Sequence, residues 1–303
     1  MKSEPLALLF PGQGAHDVKM LDGVRELPAF ATRYGLIADA LGSSPLDEIA
    51  AGNAAYLNQN RVTALLTLLA SSLSLDLFHD RTGGRADFVS GYSVGQWTAL
   101  YAAGALSFEE LVAVVAKRSA LMDACFADVP GAMLAVIGLK AEVLENLCDG
   151  LRAKSHRVWV SNYNCVGQYT LAGAADAIEA AERALVELKP RKVARVPVSG
   201  AWHTPLLAAA HAGFRTFLGS VTLAPPNVPV VDNVNGEWLP GERAGLDLQL
   251  ARHLDHPVLW EQGIKALVAK GAKRFVEIGY GNVLTKFGFF IDRSVEHQAF
   301  YVS

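Results

Sequence analysis

The sequence predicts an α/β protein in two parts, a large subdomain built on a parallel sheet and a smaller subdomain inserted into it. Short apolar runs alternate with longer helical stretches up to residue 129, and this alternation resumes after residue 198. Between these limits strands outnumber helices. Because alternating strands and helices are typical of a parallel sheet covered on both faces, we expect residues 1–129 and 199–303 to form the large subdomain and residues 130–198 the insert.

The first part of the chain supplies two predicted strands and three predicted helices. The apolar run Leu6–Phe10 predicts a buried strand, and residues 61–79 predict a strongly apolar helix. A second strand, Ala86–Ser90, leads into an alanine-rich helix, Gln96–Ala103. A further helix is predicted over Phe108–Phe126. The short apolar strands match those of a parallel sheet buried on both faces.

The insert has the predicted order βαββαβ, which is the split unit of ferredoxin-like folds. Its predicted strands and helices, in chain order, are Met133–Ile137, Ala141–Cys148, Val158–Asn162, Tyr169–Ala172, Ala174–Leu188 and Ala194–Val198. After the insert, Val228–Val231 and Arg274–Ile278 are predicted strands on either side of a helix around Gln262–Ala269. These last elements return the chain to the large sheet.

A glycine-flanked serine lies between a predicted strand and a predicted helix. Residues Gly91-Tyr92-Ser93-Val94-Gly95 have the pattern G-x-S-x-G. This pattern, with a strand before it and a helix after it, is typical of the nucleophile elbow of α/β-hydrolase-like folds. The glycines allow close backbone approach, and the helix N-terminus favours negative charge beside the serine. We therefore predict that Ser93 is a nucleophile; the alternative is a chance glycine-serine turn.

A serine nucleophile needs a general base, and His203 is the best placed of the eight histidines. It follows the last predicted strand of the insert, where the chain returns to the large subdomain. His211 falls within a predicted helix, which favours a structural role. The remaining candidates considered lie in polar or terminal surroundings and are expected at the surface; they are His79, His156 and His297.

A second glycine-rich turn, Pro11–Gly14, follows the first predicted strand. It is too short for a Walker A loop and lacks that loop's lysine. One interpretation is an ordinary turn at the end of a strand. The other is a backbone N–H donor to an oxyanion formed at the elbow.

Composition excludes several classes of function. The net charge of −3 does not favour binding to nucleic acid or to an anionic membrane surface. The three cysteines have no C-x-x-C spacing, so neither a zinc site nor a disulfide framework is expected. We find no signal peptide and no apolar run of about 20 residues that would span a bilayer. The expectation is a monomeric cytoplasmic enzyme without a metal.

Several segments together resemble the malonyl-CoA:acyl carrier protein transacylases and the acyltransferase domains of polyketide synthases. Family motifs such as F-P-G-Q-G, G-H-S-x-G and N-F-N-S-P-G-Q have counterparts in the same order between residues 8 and 286. The matching segments are Phe10–Gly14, Gly91–Gly95, Lys117-Arg118, Asn162–Gln168, Trp202-His203, His256–Trp260 and Glu277–Gly281.

The resemblance implies a ping-pong acyl transfer without a bound cofactor. Ser93 would attack the thioester of an acyl-CoA or acyl carrier, and His203 would take its proton. The backbone N–H groups of Gln13 and Val94 would hold the oxyanion. A backbone carbonyl, here that of His253, would orient the histidine in place of an acidic side chain. The acceptor would be the phosphopantetheine thiol of an acyl carrier protein.

The resemblance also implies an acyl pocket, and here the sequence departs from the family. Arg118 matches the arginine that binds a free carboxylate on the acyl group, and Asn162 lies in a matching motif. Tyr92 stands in place of a histidine, Trp202 in place of a smaller residue that separates malonyl from methylmalonyl, and Val62 in place of a polar glutamine. Further departures are Gln96, Leu259 and Tyr280. Malonyl or a related carboxylated acyl group is expected, with a bulkier, non-malonyl group as the alternative.

Two other functions remain open at this point. A proofreading acyl hydrolase would use the same dyad with water as acceptor, and a scaffold protein would keep the fold without activity. An acidic carrier protein would favour a basic docking face. Candidate residues for such a face are Lys189, Arg191, Lys192, Arg195, Lys273, Arg274 and Lys286.

Overall fold

The computed structural model describes residues 4–14 and 17–300, which form nine strands and twelve α-helices. The strands are β1 Leu6–Phe10, β2 Phe88–Gly91, β3 Gly131–Ile137, β4 Val158–Cys165, β5 Gln168–Ala174, β6 Lys192–Arg195, β7 Val230–Val231, β8 Arg274–Ile278 and β9 Glu296–Phe300. The helices are α1 Phe30–Leu41, α2 Pro45–Ala50, α3 Ala54–Leu57, α4 Asn60–Thr82, α5 Gly95–Ala102, α6 Phe108–Ala124, α7 Ala141–Arg152, α8 Ala175–Leu188, α9 Ala208–Leu218, α10 Arg243–Arg252, α11 Trp260–Ala269 and α12 Val283–Ile291.

The large sheet has the strand order β7-β2-β1-β8-β9, and every neighbouring pair is parallel. All five residues of the central strand β1 are buried, as expected for a strand covered on both faces. Phe10 at the end of β1 pairs with Gly91 at the end of β2. The carboxyl ends of these strands therefore bring the Pro11–Gly14 turn beside the elbow.

The smaller sheet is antiparallel, with the order β4-β5-β3-β6. Its elements follow the predicted βαββαβ order, so the α/β fold class with a second, separate sheet is confirmed. The subdomain boundaries at residues 130 and 198 remain a prediction. The last strand of the smaller sheet is Lys192–Arg195 and not Ala194–Val198. The paired register ends at Arg195, one further bond joins the Val196 N–H to the Met133 carbonyl, and the Val198 N–H then turns back to the Val196 carbonyl. Val196 and Val198 line the cleft described below.

Helix α4 is by length and composition the one helix among residues 4–14 and 17–300 that would be able to cross a membrane. It is longer than the predicted helix over residues 61–79. Most of its apolar surface packs inside the protein, since 83% of its most apolar 18-residue stretch is buried. This burial is that of a helix in a protein core.

One of the surface predictions for the histidines is wrong. His297 is only 5% exposed, because β9 pairs with β8 and α12 packs over it. Its Nε2 lies 2.8 Å from the Asp292 carbonyl oxygen. His79, by contrast, is exposed as predicted.

Strand β4 joins the two sheets. The backbone N–H of Tyr163 donates to the Val258 carbonyl at 2.8 Å, and that of Val258 donates to Ser161 at 2.9 Å. The segment that precedes α11 thus continues the edge of the smaller sheet. The same segment also bonds to the chain after β7, since the Leu259 N–H donates to the Asn233 carbonyl at 2.7 Å. The end of β4 therefore lies close to the carboxyl end of β7 in the large sheet.

Candidate active site

Ser93 lies on a strained turn between β2 and α5. Its φ of 52° is in the left-handed region that side chains other than glycine rarely adopt. A Cβ on Gly91 would collide with the Gly95 carbonyl, and a Cβ on Gly95 would collide with the Phe10 carbonyl. Both flanking positions therefore require glycine, and the turn has the geometry of a nucleophile elbow.

His203 contacts the serine and is itself held by a backbone carbonyl. Ser93 Oγ lies 2.7 Å from His203 Nε2, and His203 Nδ1 lies 2.9 Å from the His253 carbonyl oxygen. A carbonyl only accepts, so Nδ1 carries the proton and Nε2 is free to accept the Ser93 hydroxyl proton. His203 also has a positive φ, 61°. The pair has the arrangement of a nucleophile and its general base.

Burial lowers the pKa of His203 to about 3, with a further contribution from the nearby Arg118 guanidinium. The imidazole is neutral above its pKa, so it can accept a proton throughout the physiological range. We expect the rate at which a neutral fluorophosphonate labels Ser93 to stay constant from pH 8 to pH 5. A histidine with the ordinary pKa of about 6.5 would lose about 30-fold in neutral fraction at pH 5. A labelling midpoint near pH 6.5 in a stopped-flow pH series would contradict the low pKa.

Two backbone N–H groups are available beside the serine. Gly12 lies against the elbow, since a Cβ there would be 2.6 Å from the Tyr92 carbonyl oxygen. The N–H groups of Gln13 and Val94 make no backbone hydrogen bond in the turns, loops and helix ends of the described residues. The Gln13 side chain is fixed separately by two 3.0 Å hydrogen bonds to Asn60.

Arg118 is a buried cation close to the nucleophile. It lies on α6, is 0% exposed, and its Nη2 is 3.5 Å from Ser93 Oγ. Its Nε and Nη1 have no hydrogen-bond partner within the described part of the chain. Burial lowers the Arg118 pKa to about 10, and Asp123 opposes this shift. The guanidinium stays charged at neutral pH, so the geometry provides two unused donors for an anion.

Three of the remaining predicted residues line a cleft of about 80 Å³ beside Ser93. Tyr92, Asn162 and Trp202 line it, as the sequence predicts. Val62 does not: it is 2% exposed within the core contacts of α4 and is not among the residues that line the cleft. The cleft is lined by Gln13, Tyr92, Ser93, Met133, Asn162, Thr170, Val196, Val198, Trp202 and His203.

The Tyr92 hydroxyl is bound by the smaller sheet. It donates to Asn164 Oδ1 at 2.6 Å, and burial raises the pKa of Tyr92 above its ordinary value. The ring packs edge-on against Trp260, with centroids 5.5 Å apart. Tyr92 therefore ties the elbow to β4, a contact that the sequence analysis did not predict.

A buried amide network behind the elbow was also missed. The Ser93 N–H donates to Asn233 Oδ1 at 2.7 Å, and Asn233 Nδ2 donates to the Gly91 carbonyl at 2.7 Å. Gln96 joins this network, because its Oε1 accepts from the Asn233 N–H and its Nε2 donates to Asp232. The signal in the sequence was a polar pair, Asp232-Asn233, directly after the apolar strand β7.

Comparison with known proteins identifies similar chains. The family model described as "Acyl transferase domain" matches residues 36–289. A malonyl CoA-acyl carrier protein transacylase of Bacillus subtilis is 33% identical over 283 residues, covering 92% of this chain and 88% of the relative. The polyketide biosynthesis protein ThaF of Burkholderia thailandensis is 34% identical over 283 residues, covering 92% of this chain and 23% of that longer protein.

Solved structures agree in fold. The crystal structure of a malonyl-CoA:acyl carrier protein transacylase from Xanthomonas oryzae has a TM-score of 0.91 at 31% identity, covering 99% of this chain and 95% of that chain. A malonyl-transacylase in complex with a type II polyketide synthase acyl-carrier protein has a TM-score of 0.90 at 27% identity, covering 97% and 94%. Both similarities extend over both sheets of the present structure.

Proposed function

The chain belongs to the acyl transferase domain family, and we propose that it moves an acyl group through Ser93 to the phosphopantetheine thiol of an acyl carrier protein. The enzyme is an acyltransferase that uses acyl-CoA as donor, in fatty-acid or polyketide biosynthesis. The observation that carries the residue assignment is the 2.7 Å contact between Ser93 Oγ and His203 Nε2. The acyl group that we propose is malonyl or a related carboxylated group.

In the first half-reaction the donor thioester is cleaved. Ser93 Oγ bonds to the thioester carbonyl carbon while its proton passes to His203 Nε2. The oxyanion that forms would accept from the N–H groups of Gln13 and Val94. Val94 lies at the N-terminus of α5, which favours negative charge. The C–S bond then breaks, and the departing CoA sulfur takes the proton from His203.

In the second half-reaction the carrier thiol replaces CoA. His203 removes the thiol proton, the sulfur attacks the acyl-Ser93 carbonyl, and the Ser93 oxygen recovers the proton as the ester breaks. The imidazolium formed in each step keeps its Nδ1–H bond to the His253 carbonyl, 2.9 Å away. The neutral carbonyl supplies the orientation that a carboxylate supplies in a Ser-His-Asp triad.

Arg118 is the proposed recognition group for the acyl carboxylate. Its Nε and Nη1 are buried and without partners in the described chain, and an unpaired buried charge is costly. A substrate carboxylate would remove that cost through a bidentate pair with one edge of the guanidinium, either Nε with Nη2 or Nη1 with Nη2. This arrangement supports a carboxylated acyl group over an uncharged one.

Trp202 is the proposed wall of the acyl site. It is 5% exposed and packs edge-on against Phe126, with ring centroids 5.4 Å apart. It lines both the cleft at Ser93 and an outer groove of about 500 Å³ that includes Asp123. In a competition assay, Trp202→Ala should raise the preference for methylmalonyl-CoA over malonyl-CoA by about tenfold or more, since one methyl group is worth about 10- to 200-fold. Trp202→Phe, which keeps an aromatic wall, is the control.

The competition ratio does not depend on how much of the variant folds. A wild-type enzyme that already prefers the branched donor would contradict the role of Trp202 as a wall. It would instead favour the alternative that this chain uses a bulkier acyl group.

Acyl transfer and acyl hydrolysis are distinguished by the acceptor. We expect malonyl-CoA to be consumed rapidly with holo carrier protein, and only slowly with apo carrier, which lacks the phosphopantetheine thiol. The assay follows CoA release and carrier mass together. Equal rates of CoA release with and without holo carrier would make the enzyme a hydrolase.

Two basic residues at the start of β6, Arg191 and Lys192, support a carrier-docking face on the smaller sheet. Arg191 and Lys192 are exposed, and the chain runs from β6 directly into the segment that lines the cleft. Arg195 is already paired with Glu182. Reversing both Arg191 and Lys192 to Glu should raise the KM for carrier by about three- to tenfold without changing the KM for malonyl-CoA. An unchanged carrier KM would exclude this face.

The matched control is Arg183→Glu. Arg183 is exposed on α8, which packs against β3 and β5. It makes the same change of charge as each single reversal at Arg191 or Lys192, and half that of the double variant, outside the proposed docking face.

A further inference from the structure

A carboxylate lies between two histidines close to the catalytic base. Asp255 Oδ2 accepts from His211 Nδ1 at 2.8 Å, and Asp255 Oδ1 lies 2.7 Å from His256 Nδ1. The Asp255 side chain is only 12% exposed. His256 Nδ1 is also 3.1 Å from the Arg252 carbonyl, and Arg252 Nη2 reaches His256 Nε2 at 3.3 Å. The proposed acyl-transfer steps use none of these side chains.

The cluster joins the two segments that meet at the base. His211 lies on α9, which begins five residues after His203. Asp255 lies two residues after His253, in the turn that ends α10. The backbone N–H groups of Asp255 and His256 both donate to the Arg252 carbonyl, at 3.3 and 3.1 Å. These two hydrogen bonds hold the turn in one conformation. The His203–His253 and His211–Asp255 contacts are thus parallel connections between the same two segments.

We propose that the His211–Asp255 pair is a clamp that positions the general base: it fixes the distance between α9 and the turn after α10, and so holds the His253 carbonyl against His203 Nδ1. His211 and Asp255 are positioning residues, since neither touches Ser93 or lines the acyl cleft. The inference rests on the proposed Ser93–His203 dyad.

Two features of the site explain why a second contact between these segments is needed. The dyad has a neutral carbonyl as its orienting group, and hydrogen bonds between neutral groups are weaker than those to a carboxylate. His203 is also held at a φ of 61°, and such strain persists only where the surrounding structure over-determines it. A hydrogen bond to a carboxylate between the same segments supplies that constraint.

An adjacent groove makes the constraint necessary. A groove of about 460 Å³ is lined by His203, Pro205, Asp255, His256 and Pro257, among others. Asp255 and the two residues after it border open space on this side, whereas His253 itself is buried. The His211–Asp255 contact is a side-chain hydrogen bond from α9 that opposes movement of the turn into the groove.

The test uses the rate constant for labelling of Ser93 by a fluorophosphonate, which needs neither CoA nor carrier. His211→Leu and Asp255→Ala should each lower this rate constant, and kcat for transfer, by about tenfold, with the KM for malonyl-CoA unchanged. His211→Asn should restore the rate constant to within about twofold, because the Asn Nδ2 takes the place of the His Nδ1 donor. The double variant should be no slower than either single variant, since the two groups act as one pair.

Each outcome decides the inference. Unchanged labelling in His211→Leu, a His211→Asn variant as slow as His211→Leu, or an additive double variant would overturn the clamp. If Asp255→Ala does not fold, Asp255→Asn, which keeps one acceptor oxygen, replaces it in the cycle. A wild-type protein that is not labelled at Ser93 would overturn the dyad, and with it the clamp; a labelled wild type with an unaffected His211→Leu would overturn the clamp alone.

Discussion

Replacing Ser93 with alanine is expected to lower kcat/KM for transfer from malonyl-CoA to holo carrier by about 10⁴-fold or more. The substitution removes the atom that forms the acyl-enzyme, while the unused N–H groups and Arg118 remain. Binding of malonyl-CoA should therefore persist although turnover is lost. Steady-state transfer and equilibrium binding of malonyl-CoA, measured on the same preparation, separate the two effects.

Ser90→Ala is the matched control for this loss. Ser90 is a buried serine of β2, three residues before the nucleophile, and its hydroxyl makes only a long contact of 3.5 Å with the Val231 carbonyl. Its removal should leave transfer within about twofold of the wild type. Transfer that survives in Ser93→Ala would show that another residue carries the acyl group.

Replacing Arg118 with alanine is expected to lower kcat/KM for malonyl-CoA by about 10²- to 10³-fold, because truncating one partner of a buried charge pair costs about 2–5 kcal/mol. The rate with acetyl-CoA, which has no carboxylate, should fall far less or rise. The ratio of the two rates measures carboxylate recognition directly. Arg118 lowers the His203 pKa, so its removal should raise that pKa. The acid limb of the pH profile should then move to higher pH.

Lys117→Ala provides the comparison for Arg118. Lys117 precedes Arg118 on α6 but is exposed, so its removal tests the loss of a positive charge outside the site. We expect an unchanged ratio of malonyl to acetyl transfer in this variant. An unchanged ratio in Arg118→Ala would refute the carboxylate as the recognised group.

The local part of the site was predictable from the sequence. The elbow at Ser93 depends on residues within one strand, one turn and one helix, so its pattern lies within about fifteen positions of the chain. The fold class followed from the alternation of strands and helices. The proposed base, His203, was predicted from its position after the last strand of the smaller sheet and from the resemblance to a known family.

The non-local part was not predictable from these patterns. Asn233 holds the Ser93 N–H from a position 140 residues away, and no periodicity connects them. The Tyr92 hydroxyl, which follows β2 of the large sheet, donates to Asn164 on β4 of the smaller sheet. This contact depends on how the two sheets pack against each other. Val62 does not line the cleft for a related reason. Successive residues of a helix point about 100° apart, and the face of α4 that carries Val62 packs into the core.

The most direct test of acyl transfer through Ser93 is the intact mass of the protein after mixing with malonyl-CoA, followed by peptide mapping. We expect one malonyl adduct on the peptide that contains Ser93, stable until holo carrier is added and then recovered on the carrier thiol. The absence of any adduct, an adduct on another residue, or an adduct that disappears equally fast without carrier would contradict the proposed mechanism.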